Sequence, residues 1–82
     1  MIIKYHGDSY MDVDAIQVIV GNYESKDKTK WTTLIGISGG SLTIEGEVGK
    51  NVMDAYKWKN RTSIYDMRPS SKEYKQQIKG EV

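Results

Sequence analysis

The 82 residues carry 12 lysines and arginines against 11 aspartates and glutamates, a formal net charge of +1, and no cysteine. The length predicts a single domain across residues 1–82, and the lack of cysteine excludes disulfide bonds and thiolate metal sites. No run approaches the ~20 apolar residues of a membrane span and the first residues lack a signal sequence, so we expect a cytoplasmic protein without membrane association.

The composition favours a β-sheet over a helical bundle. Isoleucine and valine together number 15, whereas there are two leucines and two alanines. Because β-branched side chains suit extended backbone, the core is expected to be built on strands.

The first part of the chain predicts three extended segments. Residues 2–5 form the first strand, and residues 10–13 form a second piece after a loop of turn-forming residues. Along residues 14–23 apolar side chains occupy both alternating faces, which is typical of a strand that lies centrally in a sheet.

Polar residues near these strands do not predict a metal site. His6 is the single histidine and has no cysteine or second histidine to share a transition metal. Asp8, Asp12 and Asp14 lie close together in the sequence, but they lack the ordered acidic pattern of a calcium loop. We interpret them as turn and cap residues.

A β-hairpin is predicted in the middle of the chain. Residues 31–38 and 41–48 alternate apolar and polar side chains on either side of Gly39 and Gly40. A two-residue primed turn requires positive φ, which glycine adopts without steric cost. The second strand is expected to place Leu42, Ile44 and Val48 on one face.

The segment from residue 50 to residue 61 fits two structures. As a helix, Asn51 is the N-cap, Asp54 follows three residues later, and Val52, Ala55 and Tyr56 share one face. If the segment is a strand, Tyr56 and Trp58 point to the same side of it. We favour the helix.

Pro69 predicts a chain break, because proline restricts the residue before it. Ser70 or Ser71 then caps a last helix through Lys79. Together these elements predict an α+β fold, with a mainly antiparallel sheet of four or five strands, a central Gly-Gly hairpin and one or two helices from the C-terminal third.

Charge is unevenly distributed along the chain. Residues 1–49 carry four lysines and seven acidic residues, a balance of −3, and residues 50–82 carry eight lysines and arginines and four acidic residues, a balance of +4. In the basic part, cations alternate with aromatic rings. We assign partner contact to the residues of this pattern: Tyr56, Lys57, Trp58, Lys59, Arg61, Tyr65 and Arg68.

Trp58 is the main reason for assigning partner contact to this part of the chain. On the helical interpretation it projects away from the apolar face, and an exposed tryptophan beside lysines is often a contact residue. The competing interpretation packs Tyr56 and Tyr65 onto the sheet and leaves the lysines as a solvated helix face.

No enzyme is predicted, since the chain has no nucleophile elbow, phosphate-binding loop or catalytic carboxylate pair. No catalytic residue, cofactor or metal is assigned.

We expect a small non-enzymatic binding protein that occupies a macromolecular partner, most readily another protein, as inhibitors and adaptors of phage or mobile elements do. One alternative is a nucleic-acid-binding module that uses the basic, aromatic C-terminal third. Another is an oligomeric sponge that holds a small ligand between subunits.

The chain is also expected to form a homo-oligomer, with a dimer favoured. A small domain has a thin core, and a hairpin leaves an open strand edge.

Overall fold

A computed structural model describes residues 1–24 and 26–72, which form five strands and one α-helix. The α+β class is confirmed. The elements in chain order are β1 (Ile2–His6), β2 (Ser9–Asp12), a 3₁₀ turn (Val13–Ala15), β3 (Val18–Tyr23), β4 (Trp31–Ile37), β5 (Gly40–Glu45) and α1 (Gly46–Lys59). The last helix that we predicted, from Ser70 or Ser71 through Lys79, falls mainly outside the described residues.

The five strands divide into two antiparallel sheets. One contains β1 and β2, and the other is a meander in the order β3-β4-β5. The 3₁₀ turn separates the two sheets, because the Asp12 side chain accepts a hydrogen bond of 3.0 Å from the backbone N–H of Asp14. A side chain that binds the nearby backbone in this way competes with strand pairing.

The predicted central strand across residues 14–23 is wrong in position and in extent. The strand begins only at Val18, after the turn that Asp12 caps. The strand then lies at an edge, since β4 pairs with β3 on one side and with β5 on the other. The three strands are adjacent in the sheet in the order in which they occur along the chain, so β4 lies in the middle.

The β4–β5 hairpin is present, with its turn one residue earlier than predicted. Ile37 pairs with Gly40, so the two turn residues are Ser38 and Gly39. Gly39 has a φ of +86°, whereas Gly40 belongs to β5 and has no positive φ. The prediction of positive φ at both glycines is therefore wrong, because a turn with one left-handed residue at its second position needs a single glycine.

Residues 50–59 are helical, as we favoured, but α1 starts at Gly46 instead of after an Asn51 cap. Val48 thus lies in the helix and not in the hairpin strand. A φ of +76° at Gly46 turns the chain sharply from β5 into α1. A Cβ at Gly49 would lie 2.6 Å from the Ile44 carbonyl oxygen, so the first turn of the helix packs directly on the strand.

The core lies between α1, the 3₁₀ turn and the inner face of the three-stranded sheet. Val13, Ile16, Ile35 and Val52 are its buried apolar residues. Half-buried apolar side chains surround them: Met1, Ile3, Tyr5, Met11, Ile19, Leu42, Ile44, Ala55 and Tyr56. The helix contacts all three strands of the sheet on this face, which leaves its C-terminal end beside the edge strand β3.

Candidate partner-binding groove

The end of α1 is fixed by hydrogen bonds to its last carbonyl groups. The Tyr56 carbonyl oxygen accepts the backbone N–H of Asn60 at 3.1 Å and its side-chain amide at 2.9 Å. The Trp58 carbonyl oxygen accepts Nη1 of Arg61 at 2.9 Å. These bonds satisfy carbonyls that a helix end leaves unpaired, and they hold Arg61 against the last turn.

Trp58 lies on the solvent side of this last turn, with 60% of its surface exposed. The guanidinium carbon of Arg61 is 4.7 Å from the centroid of the indole ring. An arginine at this distance is attracted to the aromatic face and shields it from water. The ring and the guanidinium therefore form one preorganised surface unit.

An open groove of about 630 Å³ lies beside this unit. Its apolar lining consists of Ile19 from β3, Met53 and Tyr56 from α1, and Ile64 from the segment after the helix. Lys57 and Arg61 complete the lining. We use the term α1 groove for these six residues.

The α1 groove has an apolar lining and two cations that form no ion pair with the described acidic residues. Within residues 1–24 and 26–72 the carboxylates of Asp8, Asp12, Asp14 and Asp66 form ion pairs with other groups, and no ion pair joins an acidic side chain of these residues to Lys57 or Arg61. Both cations are exposed. The groove can therefore accept apolar groups and negative charge together.

The structure brings together some of the residues that we assigned to partner contact. Tyr56, Lys57 and Arg61 line the α1 groove, and Trp58 adjoins it through Arg61. Tyr56 is half-buried against the core as well, so its ring serves both the fold and the groove.

Lys59 acts on another part of the molecule. The pKa of the Asp14 carboxyl is lowered first by a hydrogen bond from the Met1 amino group and also by the positive charge of Lys59. Lys59 is exposed and is not part of the groove lining. Its electrostatic neighbour is thus the 3₁₀ turn.

Tyr65 and Arg68 follow the helix and do not line the groove. Tyr65 is exposed, and Arg68 Nε donates hydrogen bonds of 2.9 and 3.0 Å to the two carboxylate oxygens of Asp66. Hydrogen bonds from the Arg68 side chain and backbone lower the pKa of Asp66 from 3.8 to about 2. The role of Tyr65 and Arg68 in partner contact stays a prediction.

Sequence reasoning missed three groove residues, Ile19, Met53 and Ile64. Met53 and Tyr56 are three residues apart, which places them on one side of a helix, and this spacing was a usable signal. No pattern in the sequence relates Ile19 to them, because the position of β3 beside α1 depends on tertiary packing.

Among the described residues, no three histidine, cysteine, aspartate or glutamate side chains come together as a metal-binding group. No helix in the same part of the chain has the length and apolarity needed to cross a membrane. Comparisons with protein-family models, curated proteins and solved structures give no match.

Proposed function

We propose that this chain is a non-enzymatic binding protein that occupies a protein partner through the α1 groove and Trp58. The observation that carries the proposal is a largely exposed tryptophan, stacked by Arg61, at the side of an apolar groove. Tryptophan and arginine dominate the energetic centres of protein interfaces, where they pair large contact area with directional polar groups.

Preorganisation supports the same proposal. Arg61 is held by a hydrogen bond to the helix end and by the indole ring, so little freedom is left for it to lose on binding. Binding costs less free energy when the contact side chains are already ordered. We further propose the finer assignment, a cytoplasmic inhibitor or adaptor of the phage or mobile-element kind.

The nucleic-acid alternative has weaker geometric support. Single strands are held by open aromatic faces and by a row of cations that follows the phosphates. Here Arg61 covers one face of Trp58, Tyr56 is half-buried, and two cations line the groove. A small-ligand sponge is also less well supported, because the groove is open and would need a second subunit to enclose a ligand.

Affinity capture with the immobilised protein tests the proposal. We expect a protein retained from a lysate of the source cells after nuclease treatment, and we expect Trp58→Ala to lose it. Tyr10→Ala is the matched control, since Tyr10 is 61% exposed and has Lys4 Nζ at 5.9 Å from its ring centroid.

Two results would count against the proposal. Retention that nuclease abolishes would favour nucleic acid. Equal retention by wild type and Trp58→Ala would place the contact elsewhere on the molecule.

A further inference from the structure

We infer that the α1 groove takes an acidic segment of polypeptide, with apolar side chains in the groove and carboxylates at Lys57 and Arg61. The inference rests on the proposed function, because it names the chemistry of the protein partner. The proposed occupant of the groove carries negative charge, opposite to the charge of Lys57 and Arg61.

The charge of the partner follows from the ion pairs of the molecule. Asp66 is bound by Arg68, and Asp12 and Asp14 lie at the Met1 amino group, 3.5 and 2.7 Å away. No carboxylate of the described residues is left within ion-pair distance of Lys57 or Arg61. An acidic partner would therefore meet two cations that no described carboxylate neutralises, whereas a basic partner would meet like charge.

Arg61 keeps donors available for that partner. A guanidinium has five N–H groups in a planar fork that matches a carboxylate. One of them, on Nη1, is used by the Trp58 carbonyl oxygen, and this bond orients the rest of the fork. A partner carboxylate would thus bind a cation that is already in position.

The apolar lining identifies a polypeptide as the source of the negative charge. Three of its four apolar residues, Ile19, Met53 and Ile64, are aliphatic or thioether side chains, which bury apolar groups but do not stack bases as aromatic rings do. The fourth, Tyr56, is half-buried against the core. A phosphate backbone would satisfy the two cations and leave this lining in water. A polypeptide segment that combines carboxylates with apolar side chains pairs with the two cations and also buries the apolar lining.

Peptide display on the immobilised full chain tests the inference. A random 12-residue library is selected against the wild type at low salt, and bound peptides are sequenced. We expect enrichment of aspartate and glutamate next to apolar residues, and affinity that falls as salt rises.

Charge-matched variants locate the contact. For an enriched peptide, we expect the combined Lys57→Gln and Arg61→Gln variant to bind roughly tenfold more weakly than wild type. Lys26→Gln combined with Lys30→Gln removes the same charge from the exposed β3–β4 loop and should leave the affinity within about twofold. Equal weakening by both pairs would show that only net charge matters and would overturn the inference.

The outcomes separate this inference from the proposed function. Neutral or basic peptides that still depend on Trp58 would overturn the acidic partner and keep the protein-binding function. No enriched peptide, together with salt-dependent binding of a labelled oligothymidylate that Trp58→Ala weakens, would overturn both. Acidic peptides unaffected by Trp58→Ala and by Met53→Ala would overturn the assignment to this groove.

Discussion

At the residue scale, the β4–β5 turn depends on the conformation of Gly39. Its φ of +86° is left-handed, whereas the neighbouring Gly40 lies in β5 without positive φ. A Cβ at either position would meet no heavy atom within 4 Å. The two glycines thus have the same open space and differ in backbone conformation.

We therefore expect Gly39→Ala to lower the free energy of unfolding by ~1–2 kcal/mol, the cost of a left-handed L-residue. Gly40→Ala is the control and should be neutral or slightly stabilising, because alanine loses less backbone entropy than glycine in a strand. Urea unfolding followed by circular dichroism measures both. Equal midpoints for the two variants would contradict the turn geometry.

The Asp66 carboxyl gives a second test at the residue scale. Because Arg68 lowers its pKa from 3.8 to about 2, we expect its NMR titration midpoint near pH 2 and a rise toward 3.8 in Arg68→Gln. A lowered folded pKa adds stability above the unfolded value, and this stability is lost as the pH falls through the folded value. A midpoint unchanged by Arg68→Gln would show that the pair does not form.

At the scale of elements, the contact between β3 and α1 positions the α1 groove. Gly21 in β3 leaves room for the Trp31 ring and for Met53, whose methyl group would lie 2.5 Å from a Cβ at this position. Lys50 of α1 joins the same region, since its Nζ donates to the Tyr23 hydroxyl at 2.9 Å and lies 5.2 Å from the Trp31 ring centroid. Helix and sheet are therefore packed without a gap at Gly21.

We expect Gly21→Ala to lower the free energy of unfolding by ~1–3 kcal/mol, the usual cost of overpacking a filled site. Gly36→Ala in β4 is matched to it, since its new Cβ would approach Val18 Cβ at an ordinary 3.4 Å. The control should change stability by less than ~0.5 kcal/mol. Thermal unfolding compares them, and an equal loss in both would contradict the packing at Gly21.

Elements with a local signal were predictable from the sequence. The hairpin followed from two alternating runs around glycines, and the helix followed from the spacing of Val52, Ala55 and Tyr56. The start of α1 was not predictable, because Gly46 and Gly49 are poor helix formers, and only the structure shows the sharp turn at Gly46 and the close contact of Gly49 with Ile44. Only the α1 side of the groove was predictable, because the position of β3 beside the helix depends on tertiary packing.

At the scale of the whole molecule, one face of the three-stranded sheet presents exposed apolar side chains. Val18, Val20 and Leu34 are exposed there, and Val20 pairs directly with Leu34. Neither β3 nor β4 contains a charged residue. Two copies of the β3–β4 part of this face can meet without like-charge contact, which suits the isologous interface of a two-fold dimer.

The predicted homodimer is tested on this face. We expect wild type to sediment as a dimer at micromolar concentration and Leu34→Glu to sediment as a monomer, because the new carboxylate would lie in an apolar contact. Val48→Glu, at an exposed apolar position of α1, should keep the dimer. A wild-type monomer across this concentration range would contradict self-association.

The central claim, a protein partner at Trp58 and the α1 groove, is tested most directly by ¹⁹F NMR of the chain labelled with 5-fluorotryptophan. The sequence has two tryptophans, and the Trp58→Phe variant assigns their resonances. When the captured partner is added, we predict that the Trp58 resonance shifts or broadens and that the resonance of Trp31, which is half-buried and outside the groove lining, stays in place. An unchanged Trp58 resonance in the saturated complex would contradict the claim.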